Sequence, residues 1–460
     1  MVRRSELLIY ISFSLVLSAL LRVLWLGDAN YWLDEMVSLH FAQHESWRAL
    51  FWDNNPPFYH LLLKGWVAAF GEREAATRTL SVFFSVATTG VMMRVGYELR
   101  GKLGLLFFGI LHAIWALSIT YARETRMYAM FEFFSALNLL FFLRLEHKED
   151  RLHGYFFSSF FMALSHYLAV VTLSVQAIYF LAARHVNRRV ATLCFAGVTL
   201  VLVAFYFNFF KWDSLKWQEM KFSLEPASRW PTGLLLTLAN YSWFCAAAIF
   251  LVVSLAVLLK RNEKINRQRL RLAMLIIVPL IGVFAISALV QRSASLPRYW
   301  IYLLPPLLTL VGLSFVDVLE TVWSKAALFL FAVVLLSTAL AMPKIYANKK
   351  EPWKSVVEMI QNYPNSLILT TRSLALKTPY FDSAGIDVQQ WDPNKKEDLE
   401  RLEDEVAVRK RVWIVENYYG GLYVPQLAIK LELEKRYRLV STLMSVDESS
   451  SIRVLMIEEK

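Results

Sequence analysis

Two carboxylates stand side by side in this chain, Asp34 and Glu35. Downstream, His60 and Lys64 are spaced as i and i+4, one turn apart on one face if the intervening residues are helical. All four belong to Tyr31–Lys64, which reads YWLDEMVSLHFAQHESWRALFWDNNPPFYHLLLK. Acids serve as general bases and a lysine as a cation for a phosphate, so the segment holds the parts of a transfer reaction. The plain alternative is a pair of solvated loop acids at the start of a helix. Against it, the flanking Tyr31, Trp32, Leu33, Met36 and Val37 draw the acids toward an apolar interface. Partial desolvation there makes a carboxylate a stronger base. Neighbouring residues point in different directions, so one acid acts and the other orients it, and the segment alone does not separate them.

Three further clusters carry chemistry. Pro56-Pro57 should open the helix bearing Tyr59, His60 and Lys64, since proline suits a first helical turn. Lys64 either grips a headgroup phosphate or snorkels, and His60 is an interfacial hydrogen bonder unless His40 and His44 join it on a metal. In Tyr121-Ala122-Arg123-Glu124-Thr125-Arg126, a helical turn would aim Arg123 and Arg126 the same way, as an anion clamp. Leu296-Pro297-Arg298-Tyr299-Trp300 offers a guanidinium fork and a phenol, and Pro305-Pro306 should kink the helix that follows. His166-Tyr167 and Arg22 are weaker candidates.

The elements that must position these residues are membrane helices. Of 460 residues 57% are hydrophobic and 19% charged, against about 25% charged in soluble domains. Apolar runs fall near 7–26, 78–97, 104–120, 127–144, 154–165, 167–184, 190–210, 233–259, 272–290, 299–317 and 325–342. Most reach the roughly 17–25 residues of a span, so about eleven transmembrane helices are expected, the first a retained signal anchor. The net charge of +11 lies in short clusters between runs, which excludes a nucleic-acid surface and fits the positive-inside rule. Arg3, Arg4, Arg100, Lys102, Lys148, Arg151, Arg184, Arg188, Arg189 and the Lys260–Arg271 cluster then face the cytoplasm. Residues 27–77, 121–126, 211–232 and 291–298 face outward, which gathers every cluster above on one side. The middle thirds of the runs carry almost no charge. A coupled transporter would bury ionisable groups there, so a site at the outer interface is favoured. Cys194 and Cys245 lie within apolar runs, which excludes a disulfide framework.

After Pro343 the pattern changes to short apolar strands at Ser366–Thr370, Val412–Val415 and Ile452–Ile457. Helical patterns alternate with them at Trp353–Tyr363, Leu399–Arg409 and Pro425–Lys435. The expected organisation is a mainly α transmembrane catalytic domain over 1–342, including the acid-bearing loop 27–77, and an extracytoplasmic α/β domain over 343–460.

The order of motifs is a first-loop Asp-Glu, NPPFYHLLLKGW, FGEREAATRTLS, YARETRMYAM, His166-Tyr167 and PRYWIYLLPP. It resembles the GT-C glycosyltransferases of the protein O-mannosyltransferase and lipid A aminoarabinose transferase type, over residues 7–342. The resemblance implies an inverting transfer from a polyprenyl-phosphate sugar to a hydroxyl of protein, lipid A or another glycan, outside a bacterial inner membrane. It implies Asp34 as the base beside Glu35, and Lys64, Arg298, Arg123 and Arg126 on the lipid phosphate. His60, Tyr59, Tyr299 and His166 fall to the substrate. The leaving phosphate is already ionised, so cations suffice and no cofactor is required, with a divalent ion at the acids left open. The competing readings are a flippase for a lipid-linked sugar and a ligase that uses a pyrophosphate-linked donor.

Overall fold

The computed structural model describes residues 4–43, 55–145, 152–182, 197, 235–259, 263–289, 297–347, 353–363, 367–370, 379–390, 396–409, 411–418, 437–445 and 451–459. The expected run at 190–210, residue 197 apart, the loop 211–232 and the helical pattern at 425–435 lie outside the described residues. The chain divides into two compact units, one of Met1–Leu26 with Glu45–Tyr346 and one of Gly27–His44 with Ala347–Lys460.

The first unit is helical: α1 (Arg4–Val23), then, after the α2 segment of the other unit, α3 (Phe58–Phe70), α4 (Glu74–Ile114), α5 (Ala116–Ala122), α6 (Tyr128–Leu145), α7 (Leu152–Ser165) and α8 (Ala169–Ala182). There follow α9 (Trp243–Leu259), α10 (Glu263–Leu289), a 3-10 segment (Pro297–Leu303), α11 (Leu304–Leu319) and α12 (Ser324–Ala347). Among the described residues five helical stretches are long and apolar enough to cross a membrane, and two shorter ones are apolar. Phe244 and Phe250 are 77% and 71% exposed. Rings that face outward while Ser14, Ser18, Ser85 and Thr88 are buried reverse the pattern of a water-soluble bundle. This is an integral membrane protein.

Within α4 the helix is interrupted at Arg100-Gly101, where Gly101 takes φ +61°. The two limbs fold back on each other, so the runs expected at 78–97 and 104–120 are an antiparallel pair joined by a turn of two residues. Gly96 and Gly104 face each other there, and a Cβ on either would run into the other's carbonyl. Small residues let backbones approach, which is what drives helix association in lipid. At the same end, Asp317 takes both Arg100 (Nε 2.8 Å, Nη2 3.1 Å) and Arg269 (Nη2 2.7 Å), tying α4, α10 and α11 together.

Pro305 and Pro306 produce no kink. They occupy the first turn of α11, where a missing N–H costs nothing, and the preceding residues wind as a 3-10 helix. A break does occur between α4 and α5, at the extended Trp115. The N–H of Ala116 freed there donates to Asn240 Oδ1 at 2.9 Å, and Asn240 Nδ2 donates to Thr338 at 2.8 Å. Asn240 itself has φ +53° and interrupts the run expected at 233–259.

The second unit holds α2 (Leu33–Gln43), α13 (Trp353–Gln361), β1 (Leu367–Thr370), α14 (Pro379–Ala384), β2 (Asp387–Gln390), α15 (Lys396–Arg409), β3 (Arg411–Tyr418), β4 (Tyr437–Ser445) and β5 (Ser451–Glu459). The strands form one sheet in the order β2-β1-β3-β5-β4, parallel across β2-β1-β3 and antiparallel across β3-β5-β4. Leu367 and Leu369 pair with Val412 and Ile414, and all four pack with Ile457, Leu402 and Val406 in a core. The acid-bearing residues 27–44, expected within the helical domain, fold with this sheet unit.

The glycine turn makes a sharp expectation. Gly104→Ala should lower the thermal midpoint in detergent, at a cost of about 1–3 kcal/mol for overpacking. Gly90→Ala, with nothing within 4 Å of the new methyl, should leave it unchanged or raise it.

Candidate active site

In the first unit, several sequence-singled residues converge. His166, in the turn between α7 and α8, lies face to face with Phe131 (5.0 Å, 18°) and near the rings of Tyr167 (4.3 Å), Tyr128 (5.9 Å) and Tyr299 (6.2 Å). The guanidinium of Arg126 sits 5.9 Å from the Tyr128 ring and that of Arg298 5.7 Å from the Tyr299 ring. Burial, followed by the charges of Arg126 and then Arg298, pushes the His166 imidazole down to about 3. His166 is therefore neutral at ordinary pH. Its Nδ1 accepts the Leu168 N–H at 3.2 Å, which leaves the ring proton on Nε2 as a donor. Burial also holds the Tyr167 phenol protonated, helped by its hydrogen bond to Tyr299. Two guanidiniums, a neutral imidazole N–H and phenols beside aromatic faces suit a phosphate attached to something bulky and partly apolar.

Arg123 has a different task. Its turn is not helical, and the two arginines diverge. Arg123 donates to the carbonyls of Arg22 (3.1 Å), Leu24 and Trp25 (3.0 Å) and lies over Tyr346, closing the C-terminal end of α1. The last carbonyls of α1 need donors, and Arg123 supplies them.

On α3, which starts after Pro57 as expected, His60 is buried and Lys64 half-buried. Tyr59 Oη lies 3.1 Å from Ser81 Oγ, and Ser81 donates to the Arg126 carbonyl at 3.1 Å. The lysine-bearing helix is thereby joined to the arginine turn through Ser81. Ser81 belongs to a row of hydroxyls on α4: Thr77 bonds Thr125 (2.8 Å), Ser85 receives Arg22 Nε (2.7 Å), and Thr89 bonds His112 Nδ1 (2.8 Å). A spacing of four residues puts all of them on one face, a signal the sequence does carry.

Beneath that row lies a polar network that sequence reasoning passed over. Arg22 donates to the carbonyls of Ser18 (3.1 Å), Ala113 (2.8 Å) and His112 (3.2 Å), and to Ser118 (3.1 Å). Ser118 donates to Glu132 Oε2 (2.9 Å), and His112 Nε2 meets Glu132 Oε1 (3.2 Å). All are buried, within about two turns of helix ends.

In the second unit, Asp34 and Glu35 fall at the second and third residues of α2. Glu35 is buried and its Oε2 accepts the Trp32 N–H (3.3 Å), the reciprocal half of a capping box. That separates the two acids: Glu35 caps the helix, and Asp34 is half-buried one position earlier. Among the described residues no group of three or more His, Cys, Asp or Glu side chains could hold a metal ion.

Neither a protein-family model nor a curated protein sequence matches this chain. Solved structures do. ArnT of Cupriavidus metallidurans bound to undecaprenyl phosphate aligns over 99% of this chain and 98% of its own, at 12% identity and a TM-score of 0.59. The fold agrees with the GT-C resemblance of the motifs. The apo form of ArnT gives a TM-score of 0.57 at 13% identity over 98% of each chain. The Archaeoglobus fulgidus oligosaccharyltransferase in complex with Zn and sulfate gives 0.51 at 12% identity, over 88% of this chain and 67% of that one. At such identities the GT-C likeness is one of fold, and the chemistry rests on the residues above.

The depressed His166 imidazole sets a pH dependence for the helical bundle. Between about 6.5, its unfolded value, and about 3, the unfolded chain takes up the proton first, so acid favours unfolding in that window. His166→Gln should flatten the fall of the thermal midpoint between pH 6.5 and 4. Parallel slopes for the two proteins would show that His166 titrates normally in the fold.

Proposed function

We propose that this protein is an inverting glycosyltransferase. It moves a sugar from a polyprenyl-phosphate donor to a hydroxyl of a protein, lipid A or glycan acceptor at the extracytoplasmic face of a bacterial inner membrane. The observation that carries this reading is the meeting of Arg126 and Arg298 around a neutral His166 in a fold shared with a structure that holds undecaprenyl phosphate. Residues 1–342 supply the catalytic groups, with Asp34 on the stretch 27–44 that folds with the sheet unit, and 343–460 the rest of an extracytoplasmic domain; the N-terminus lies in the cytoplasm.

The reaction is a single displacement. Asp34 takes the proton of the acceptor hydroxyl as its oxygen attacks the anomeric carbon. The bond from that carbon to the phosphate oxygen breaks, the electron pair leaves with the polyprenyl phosphate, and the configuration inverts. Arg298, Arg126 and Lys64 stabilise the charge gathering on the leaving phosphate. His166 Nε2–H, His60, Tyr59 and Tyr299 orient the donor. Arg123, committed to α1, takes no part. The cations meet the electrostatic need without a cofactor, and a divalent ion held by the acids would add to it.

Reconstituted protein given a panel of synthetic polyprenyl-phosphate sugars should transfer with inversion, read by NMR of the product anomer. Asp34→Asn should lower kcat by about 10²–10⁴-fold, and Arg298→Ala by about 10²–10³-fold with weaker donor binding. EDTA should leave the rate within twofold. Lipid-sugar crossing the bilayer without transfer would instead mark a flippase, and turnover of pyrophosphate-linked donors alone would mark a ligase.

A further inference from the structure

Within the second unit the acid-bearing helix is held by residues more than three hundred positions away. The backbone N–H of Tyr31 donates to Tyr380 Oη at 2.8 Å, across 349 residues of chain. The two rings lie 6.2 Å apart and tilted at 43°, and Tyr31 is buried to 1% exposure. Tyr380 is itself fixed from the other side: Lys354 Nζ sits 5.7 Å from its ring centroid, and the neighbouring Phe381 packs edge-on against Trp353 at 5.9 Å. α2 follows Tyr31 at once. Its inner face, Glu35, Met36, Leu39 and Ala42, is buried, and Glu35 ties the helix start to Trp32. Asp34 thus has its rotation about the helix set by the cap and its origin set by the Tyr31 hydrogen bond.

We propose that the C-terminal sheet unit is the holder of the catalytic base, with Tyr380 as the positioning residue that acts through Asp34. The inference rests on the reading of Asp34 as the general base. Its physical content is that a base held by one phenol and one cap keeps a narrow range of orientations, and proton transfer at a reacting hydroxyl is steeply sensitive to position.

Tyr380→Phe in the full-length protein removes the acceptor oxygen and keeps the ring. Three readouts test the idea together. Hydrogen exchange at the Tyr31 amide and along α2 should quicken by tenfold or more, and unchanged exchange would overturn the hold. kcat should fall by tenfold or more while binding of a fluorescent polyprenyl phosphate stays within twofold. An unchanged kcat, or donor binding that falls in step with it, would overturn the positioning role. In the Asp34→Asn background the same substitution should lower the residual rate by less than twofold, whereas a merely structural residue would cost as much there as in wild type. Lys354→Met, which leaves the phenol in place, should give the same pattern at smaller size, and full wild-type behaviour in both variants would sink the proposal. An Asp34→Asn protein with wild-type turnover would bring down the base assignment itself, and the exchange measurement would still report on the Tyr31–Tyr380 bond.

Discussion

Everything in the helical unit leans on one buried cation. Arg22 is fully buried near the end of α1 and donates to the carbonyls of His112 and Ala113, the last turn of α4 before the chain breaks at Trp115. In a bilayer no water is available to satisfy a broken helix, and each orphaned polar group costs several kcal/mol. The break is needed, since it turns the chain into α5 and on to the Tyr121–Arg126 turn. Arg22 makes it tolerable, and Ser85, Ser118 and Glu132 hold Arg22 in turn. A lone charge here would be prohibitive. A charge with a carboxylate in its network and a donor use for each nitrogen is a structural element.

The hydroxyl row on α4 carries that order upward. Thr89 joins the two limbs of α4 at His112, Ser85 meets Arg22 of α1, and Ser81 meets Tyr59 of α3 and the Arg126 carbonyl. Arg126 and Arg298, charges of like sign, sit around an imidazole that stays neutral. Charges of like sign gathered at one imidazole suit an anionic ligand. The opposite end of the bundle follows the reverse principle: Asp317 neutralises Arg100 and Arg269 within the protein, leaving little to offer a ligand.

Much of this was readable from residue order and some was not, for physical reasons. Apolar runs locate helices because lipid permits little else. The two short helices around His166 and the proline start of α3 followed from local rules. Arg126, Arg298, His166 and Tyr299 could be singled out because polar residues at helix ends on one side stand out against an apolar background. Arg123 could not be told from Arg126, since a carbonyl acceptor on α1 leaves no mark three residues away in sequence. Pro305-Pro306 fits a kink or a helix start equally well until the 3-10 segment before it is seen. Glu35 as a cap was among the ordinary readings, and only the Trp32 hydrogen bond assigns it. The membership of residues 27–44 in the sheet unit depends on pairings such as Tyr31 with Tyr380, which no local pattern records.

Arg123's grip on α1 also has a meaning in time. α1, both limbs of α4, the Arg123 turn and α6 lie within the first third of the chain, and the hydrogen bonds of Arg22 run among them. Arg298 emerges later, on the order of ten to thirty seconds at ordinary translation rates. During that interval the nascent protein has these early helices and one of the two arginines that meet at His166. The second arginine of the pair is made only about two thirds of the way along the chain, after the turn that carries the first is already complete.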